Sequence, residues 1–107
     1  MLDIKICHNN FMNIIEKSTD EVIIKILKAL ADPTRLKMIR ALYLNKNEMS
    51  CGEVGEMVSI SKPNTSYHFR IFDEAGLIKA RKIGQIRYIS LNIETFDSYL
   101  PGFLDSL

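Results

Sequence analysis

A mostly α-helical chain that closes its helical run with a β-hairpin, an α+β layout, is predicted by three observations. Apolar residues recur at three- and four-residue steps between residues 22 and 42, two later segments open on helix-capping signals, and residues 77–91 form two β-branched and aromatic stretches around a glycine. The length of 107 residues suits one domain, residues 1–107, because a domain commonly takes roughly 100 to 150 residues. A hydrophobic fraction of 47% with 25% charged residues is that of an ordinary soluble protein.

Residues 1–12 carry a mixed signal. Ser18 and Glu21 have capping-box spacing, which predicts a helix start there, and Val22, Ile23, Ile26, Leu27 and Leu30 then form a stripe expected to face a core. Ala29 and Ala31 leave room for a close neighbour. Asp32-Pro33 predicts a restart, because Asp caps free N–H groups and Pro loses no hydrogen bond in a first turn. Leu36, Met38, Ile39, Ala41 and Leu42 should point inward and Lys37 and Arg40 outward, up to a left-handed end at Asn45. Ser50 and Glu53 repeat the capping-box spacing and open a short third helix through Val58. A fourth opens at Ser61 or Lys62, buries Phe69, Phe72 and Ala75, and stops at Gly76. Strands are expected over 77–82 and 85–91 with a turn at Ile83 and Gly84, then a helix over 93–100 stopped by Pro101-Gly102.

Charge is distributed unevenly along this layout. Residues 1–61 carry eight basic and eight acidic groups, residues 62–91 six basic and two acidic, and residues 92–107 three acidic and none basic. The positive charge thus falls on the fourth helix and the hairpin, as expected for phosphate binding, although a solvated face has the same composition. Helices followed by a two-stranded hairpin form a winged helix. In its helix-turn-helix pair the second helix enters the major groove of DNA and the first crosses the backbone.

Three segments resemble the ArsR-type family of repressors. ALADPTRLKMIRAL at 29–42 is similar to the family's second and third helices, SKPNTSYHFRIFDEAGLI at 61–78 to its recognition helix and exit, and KARKIGQIRYISL at 79–91 to its wing. The resemblance, over residues 20–91, implies a winged helix-turn-helix repressor that binds double-stranded DNA at a palindromic operator as a homodimer and is released by an effector, which the sequence does not name. Many family members hold soft metals with a thiolate pair whose positions here are Ser50 and Gly52, and others use histidine ligands on the last helix, which has none. Neither standard metal site can be built, and no cofactor is expected.

Candidate DNA-binding residues on the fourth helix are Lys62, Asn64, Ser66, Tyr67, His68 and Arg70. Asn64, Ser66 and Tyr67 suit base edges, while Lys62 and Arg70 suit phosphates; an ordinary polar helix face would look alike. His68 either contacts phosphate or anchors the helix. On the hairpin, Arg81, Lys82, Gln85 and Arg87 suit a wing on phosphates or the minor groove, or else a charge-protected edge. Tyr88 is expected to pack against the junction of the third and fourth helices.

Cys7 and Cys51 are candidate regulatory thiols. A helix N-terminus should lower the pKa of Cys51, with Glu53 opposing, although a small buried residue at a helix start is the plainer account. A nonstandard metal site from Cys7, His8 and Cys51 is a further alternative, as is a winged domain that binds protein instead of DNA. Loss of the basic side chains would mark the last case, and they are present. No glycine-rich phosphate loop or nucleophile elbow points to an enzyme. No apolar run reaches the roughly 20 residues of a membrane span and no secretory leader is evident, so a cytoplasmic location is expected. Residues 1–17 and 93–107 are expected to build the dimer, since one small core has no room for Phe11, Ile14, Ile15, Phe96, Leu100, Phe103 and Leu104 together.

Overall fold

The structure, a computed structural model, describes residues 9–46 and 48–107, with side chains from residue 20 onward. Helix α1 (Asn9–Leu30) runs without a break through Ser18, so the helix start expected at Ser18 is an interior position. A Ser-x-x-Glu pair caps a helix only where something stops the preceding turn, and no Gly or Pro lies between residues 9 and 30. Ile26, Ala29 and Leu30 are buried, whereas Val22, Ile24 and Leu27 are 38%, 51% and 49% exposed. The core-facing stripe is therefore narrower than the sequence pattern, and Val22 and Leu27 lie outside it.

Helix α2 (Pro33–Leu44) restarts where Asp32 accepts a hydrogen bond from Arg35 N at 2.9 Å. Its Met38, Ile39, Ala41 and Leu42 are buried, with Leu36 packed at the edge. Asn45 has φ −89°, and its N–H still bonds Ala41 O. The left-handed residue at this end is Lys46, at φ 32°, and not Asn45, because Asn45 continues the helical hydrogen bonding by one residue.

Strand β1 (Met49–Ser50) leads directly into helix α3 (Cys51–Val58). The capping box is present in both directions: Glu53 N donates to Ser50 Oγ at 3.1 Å and Ser50 N to Glu53 Oε1 at 2.9 Å. Ser59 turns the chain at φ 58°, and Ile60 N bonds back to Gly55 O at 3.0 Å. Helix α4 (Lys62–Glu74) begins with Ser61 Oγ accepting from Asn64 N at 3.3 Å and Pro63 in the first turn. Phe69 and Phe72 fix its inner face in the core at a ring separation of 6.2 Å. Truncating either to Ala would cost about 3–5 kcal/mol. Gly76 at φ 74° ends the element, letting Leu77 N reach Phe72 O at 3.0 Å.

Strands β2 (Ile78–Ile83) and β3 (Ile86–Leu91) pair antiparallel across the two-residue turn Gly84-Gln85, with Gly84 at φ 61° where hairpin turns favour glycine. Strand β1 adds to the far edge of β3, giving a three-stranded sheet of order β1-β3-β2 with Ser50 opposite Tyr88. The third strand, too short for any sequence periodicity to predict, anchors the hairpin to the start of α3.

Helix α5 (Ile93–Tyr99) is capped by Asn92, whose N–H bonds Leu77 O at 2.9 Å. A 3-10 turn (Leu104–Ser106) follows Gly102. This tail folds onto its own chain. Phe96 and Leu104 are buried, Phe96 stacks on Phe103 at 6.1 Å, and Tyr43 donates a hydrogen bond to Asp105. The expectation that one core lacks room for these residues is corrected at Phe96 and Leu104. Phe11, Ile14 and Ile15 lie outside the residues whose side chains are described. Among the described residues no helix is long and apolar enough to cross a membrane.

Candidate nucleic-acid interface

The candidate site is built around α4. Thr65, Phe69 and Phe72 point inward, while Lys62, Asn64, Ser66, Tyr67 and Arg70 are exposed. Helical periodicity makes these two sets opposite faces. The inner face can sit close to α3 because residue 55 is glycine: a β-carbon there would come within 2.6 Å of Thr65 Oγ1. Thr65 is 3% exposed and donates to Ser61 O at 2.8 Å, so its hydroxyl is satisfied inside the helix pair. Neither Gly55 nor Thr65 was singled out in the sequence. A small residue midway along a short helix before a second capped helix was the available signal.

His68 is half-buried, with Nδ1 3.2 Å from Arg35 Nη1. Because guanidinium only donates, Nδ1 accepts and the ring proton sits on Nε2. The same arginine donates from Nε to Ala29 O at 2.7 Å and from Nη2 to Lys28 O at 3.5 Å. Arg35 thus satisfies carbonyls at the end of α1 while holding α4, a bridge between residues 33 positions apart that local sequence does not reveal. Burial first, then the Arg35 charge, push the His68 pKa below its ordinary value, and Asp32 opposes. The Tyr67 ring stands edge-on to His68 at 5.3 Å and leaves 53% of its residue surface exposed.

The sheet register sorts the wing cations. Lys82 pairs with Arg87, on the same side as Ala80–Ile89 and Ile78–Leu91, the side that reaches the core at the base of the hairpin. Arg81 pairs with Tyr88 on the opposite side. There its guanidinium lies 5.8 Å from the Tyr88 ring centroid and bonds Glu48, with Nε at 2.6 Å from Oε1. That bond holds the Glu48 carboxyl below its ordinary range. Lys82 and Arg87 make no ion pair with a described residue, whereas Arg81 does. An open groove of about 580 Å³ between wing and helix pair is lined by Lys62, Ser66, Gln85, Ile86, Arg87 and Tyr88 together with residues 50–53. Tyr88 thus sits beside the start of α3, opposite Ser50, and faces the first turns of α4 across the groove.

Cys51 packs half-buried against the core at the start of α3. Burial pushes its thiol up, and Arg87 offsets this only in part. The lowered pKa expected from the helix end is corrected, since desolvation of the thiolate outweighs it. Cys7 and His8 lie outside the described residues. Among the described residues no three His, Cys, Asp or Glu side chains gather as metal ligands.

A family model described as "Helix-turn-helix domain" matches residues 30–81. The chain is 49% identical over 92 residues to the uncharacterized HTH-type transcriptional regulator YceK of Bacillus subtilis (strain 168), covering 86% of this chain and 92% of that protein. It is 39% identical to the transcriptional repressor SdpR of the same organism, covering 75% and 87%. Among solved structures, the transcriptional regulator HlyU of Vibrio vulnificus CMCP6 superposes with a TM-score of 0.67 at 28% identity, over 91% of this chain and 96% of that one. The homodimeric winged helix-turn-helix DNA-binding domain Mb0332 of Mycobacterium bovis, a possible ArsR-family regulator, gives 0.69 at 20% identity over 75% and 72%, a likeness of fold.

Proposed function

The chain belongs to the ArsR-type winged helix-turn-helix transcriptional regulators, and from that membership we propose that it is a repressor acting as a homodimer on a two-fold symmetric operator. In this reading α4 lies in the major groove. Asn64, Ser66 and Tyr67 meet base edges, Lys62 and Arg70 meet phosphates, and Lys82, Gln85 and Arg87 extend the contact along the backbone. The observation that carries the reading is the shared groove, which places Lys62 and Ser66 of α4 beside Gln85 and Arg87 of the wing. Arg81, tied to Glu48, braces the wing. His68, tied to Arg35, seats α4.

Homodimerisation is supported by the exposed Val22, Ile24 and Leu27 on α1 and by the homodimeric state named for the Mycobacterium bovis domain. Repression is supported by the name of the Bacillus subtilis repressor. The test is selection of duplexes from a random-sequence library, followed by footprinting and sedimentation of the complex. Two half-sites about 10 base pairs apart, or a multiple, occupied by two chains, is the expected result. A one-sided footprint occupied by one chain would overturn the dimer, and no enriched duplex would overturn sequence-specific binding.

A further inference from the structure

Ile83 and Ile86 are 52% and 48% exposed and face each other as the last register pair of the hairpin. Only Gly84 and Gln85 lie beyond them. A β-branched residue near a strand end is unremarkable by itself. Two large apolar side chains paired at the tip of a hairpin leave a contiguous apolar point in water that nothing described in the chain covers. The chemistry around that point narrows what covers it. The adjacent pair is Lys82 and Arg87, both exposed, and residues 75–91 contain no Asp or Glu. Lys82 and Arg87 stand on one side of the ribbon and the isoleucines on the other, which also carries Arg81 and Lys79, each paired with a carboxylate, Glu48 and Glu94. An apolar point backed by two cations without ion pairs among the described residues, on a ribbon that carries no anion of its own, complements a surface whose walls are anionic and whose floor is apolar.

The minor groove of DNA has that character. Its width of about 6 Å admits side chains but no helix, its walls carry the phosphates, and apolar wedges such as Ile enter it in proteins that bend DNA. We propose that the Ile83–Ile86 pair is an apolar wedge that the wing seats in the minor groove beside the major-groove segment facing α4, with Lys82 and Arg87 on the flanking phosphates. The wedge reads groove width and the ease of opening a base step, not a hydrogen-bond code. It therefore gives the protein sequence preference at base pairs that α4 does not touch. The inference rests on the DNA-binding reading above and adds to it a site outside the polar residues of the wing.

The experiment uses the full chain and a duplex that the wild-type protein selects from a random library. Ile83→Ser with Ile86→Ser should weaken binding at least about tenfold, since covering the exposed halves of two isoleucines is worth on the order of that factor. Ile83→Val with Ile86→Val should stay within about threefold of wild type. The dependence of log K on log salt should be the same in all three proteins, because no phosphate contact is removed. Both positions are half-exposed, so circular-dichroism melting should show the fold intact. A serine pair that binds like wild type would overturn the wedge. So would a serine pair whose weaker binding is matched by a lower sedimentation mass, which would make the isoleucines a contact between copies. A wild-type protein that selects no duplex would overturn the DNA-binding reading itself, and the wedge with it.

Discussion

Gly55 on α3 and Thr65 on α4 meet at the closest approach of the helix pair, where a β-carbon on residue 55 would stand 2.6 Å from Thr65 Oγ1. Gly55→Ala should therefore destabilise the chain, the overpacking of about 1–3 kcal/mol exceeding the roughly 1 kcal/mol that Ala adds to a helix. With Thr65→Ala already in place the clash is gone, and Gly55→Ala should become neutral or stabilising. Urea unfolding of the four proteins in this cycle checks the change of sign. Equal stabilisation by Gly55→Ala in both backgrounds would show that the contact does not limit the packing.

Local chemistry made much of this arrangement legible in the sequence. Asp32-Pro33, the Ser50–Glu53 box, Ser61 and Gly76 each act within a few residues, and each ends or begins an element in the structure. The Ser18–Glu21 spacing misled because a capping pattern does not distinguish a helix start from a helix interior. Strand β1 is two residues long, and its partner Tyr88 is 38 positions away, so no periodicity announces it. The exposed polar face of α4 was readable from helical spacing, yet the tie from His68 to Arg35 joins helices distant in sequence. The separation of Arg81 from Lys82 was available, because neighbours in a strand point to opposite sides. What the sequence did not supply is Glu48 waiting on one of those sides.

The burial of His68, reinforced by the Arg35 charge, gives stability a pH dependence of definite sign. The folded chain holds the ring neutral, with a pKa below the ordinary 6.5, so the unfolded chain takes up the proton first as pH falls. The contribution is complete above about 6.5 and is lost as pH falls through the lowered folded value. His68→Gln can keep an acceptor for Arg35 without titrating. Its urea midpoint should change less between pH 7 and pH 5 than that of wild type. The same change in both proteins would remove His68 from the pH dependence.

Ile24 and Leu27 are exposed apolar residues of α1 within one chain, so charge placed there should act on association and not on the monomer core. Leu27→Glu is expected to shift the sedimentation mass toward the monomer at micromolar concentration while leaving helix content unchanged. Ile24→Glu should behave alike if both side chains lie in the contact. An unchanged mass for both variants would move the dimer surface away from this part of α1.

The claim that α4 reads base edges while the wing cations hold the backbone is tested most directly by affinity for a selected duplex and for random DNA, each across a range of salt. Asn64→Ala and Tyr67→Ala should each weaken the selected duplex by about 1–3 kcal/mol per base contact and leave random DNA nearly unchanged. Lys82→Ala and Arg87→Ala should weaken both, and each should flatten log K against log salt by about 0.9 per phosphate contact. Arg81→Ala should flatten it less, because Arg81 is engaged with Glu48. Equal losses on both DNAs for Asn64→Ala and Tyr67→Ala, with an unchanged salt slope for Lys82→Ala and Arg87→Ala, would contradict the account.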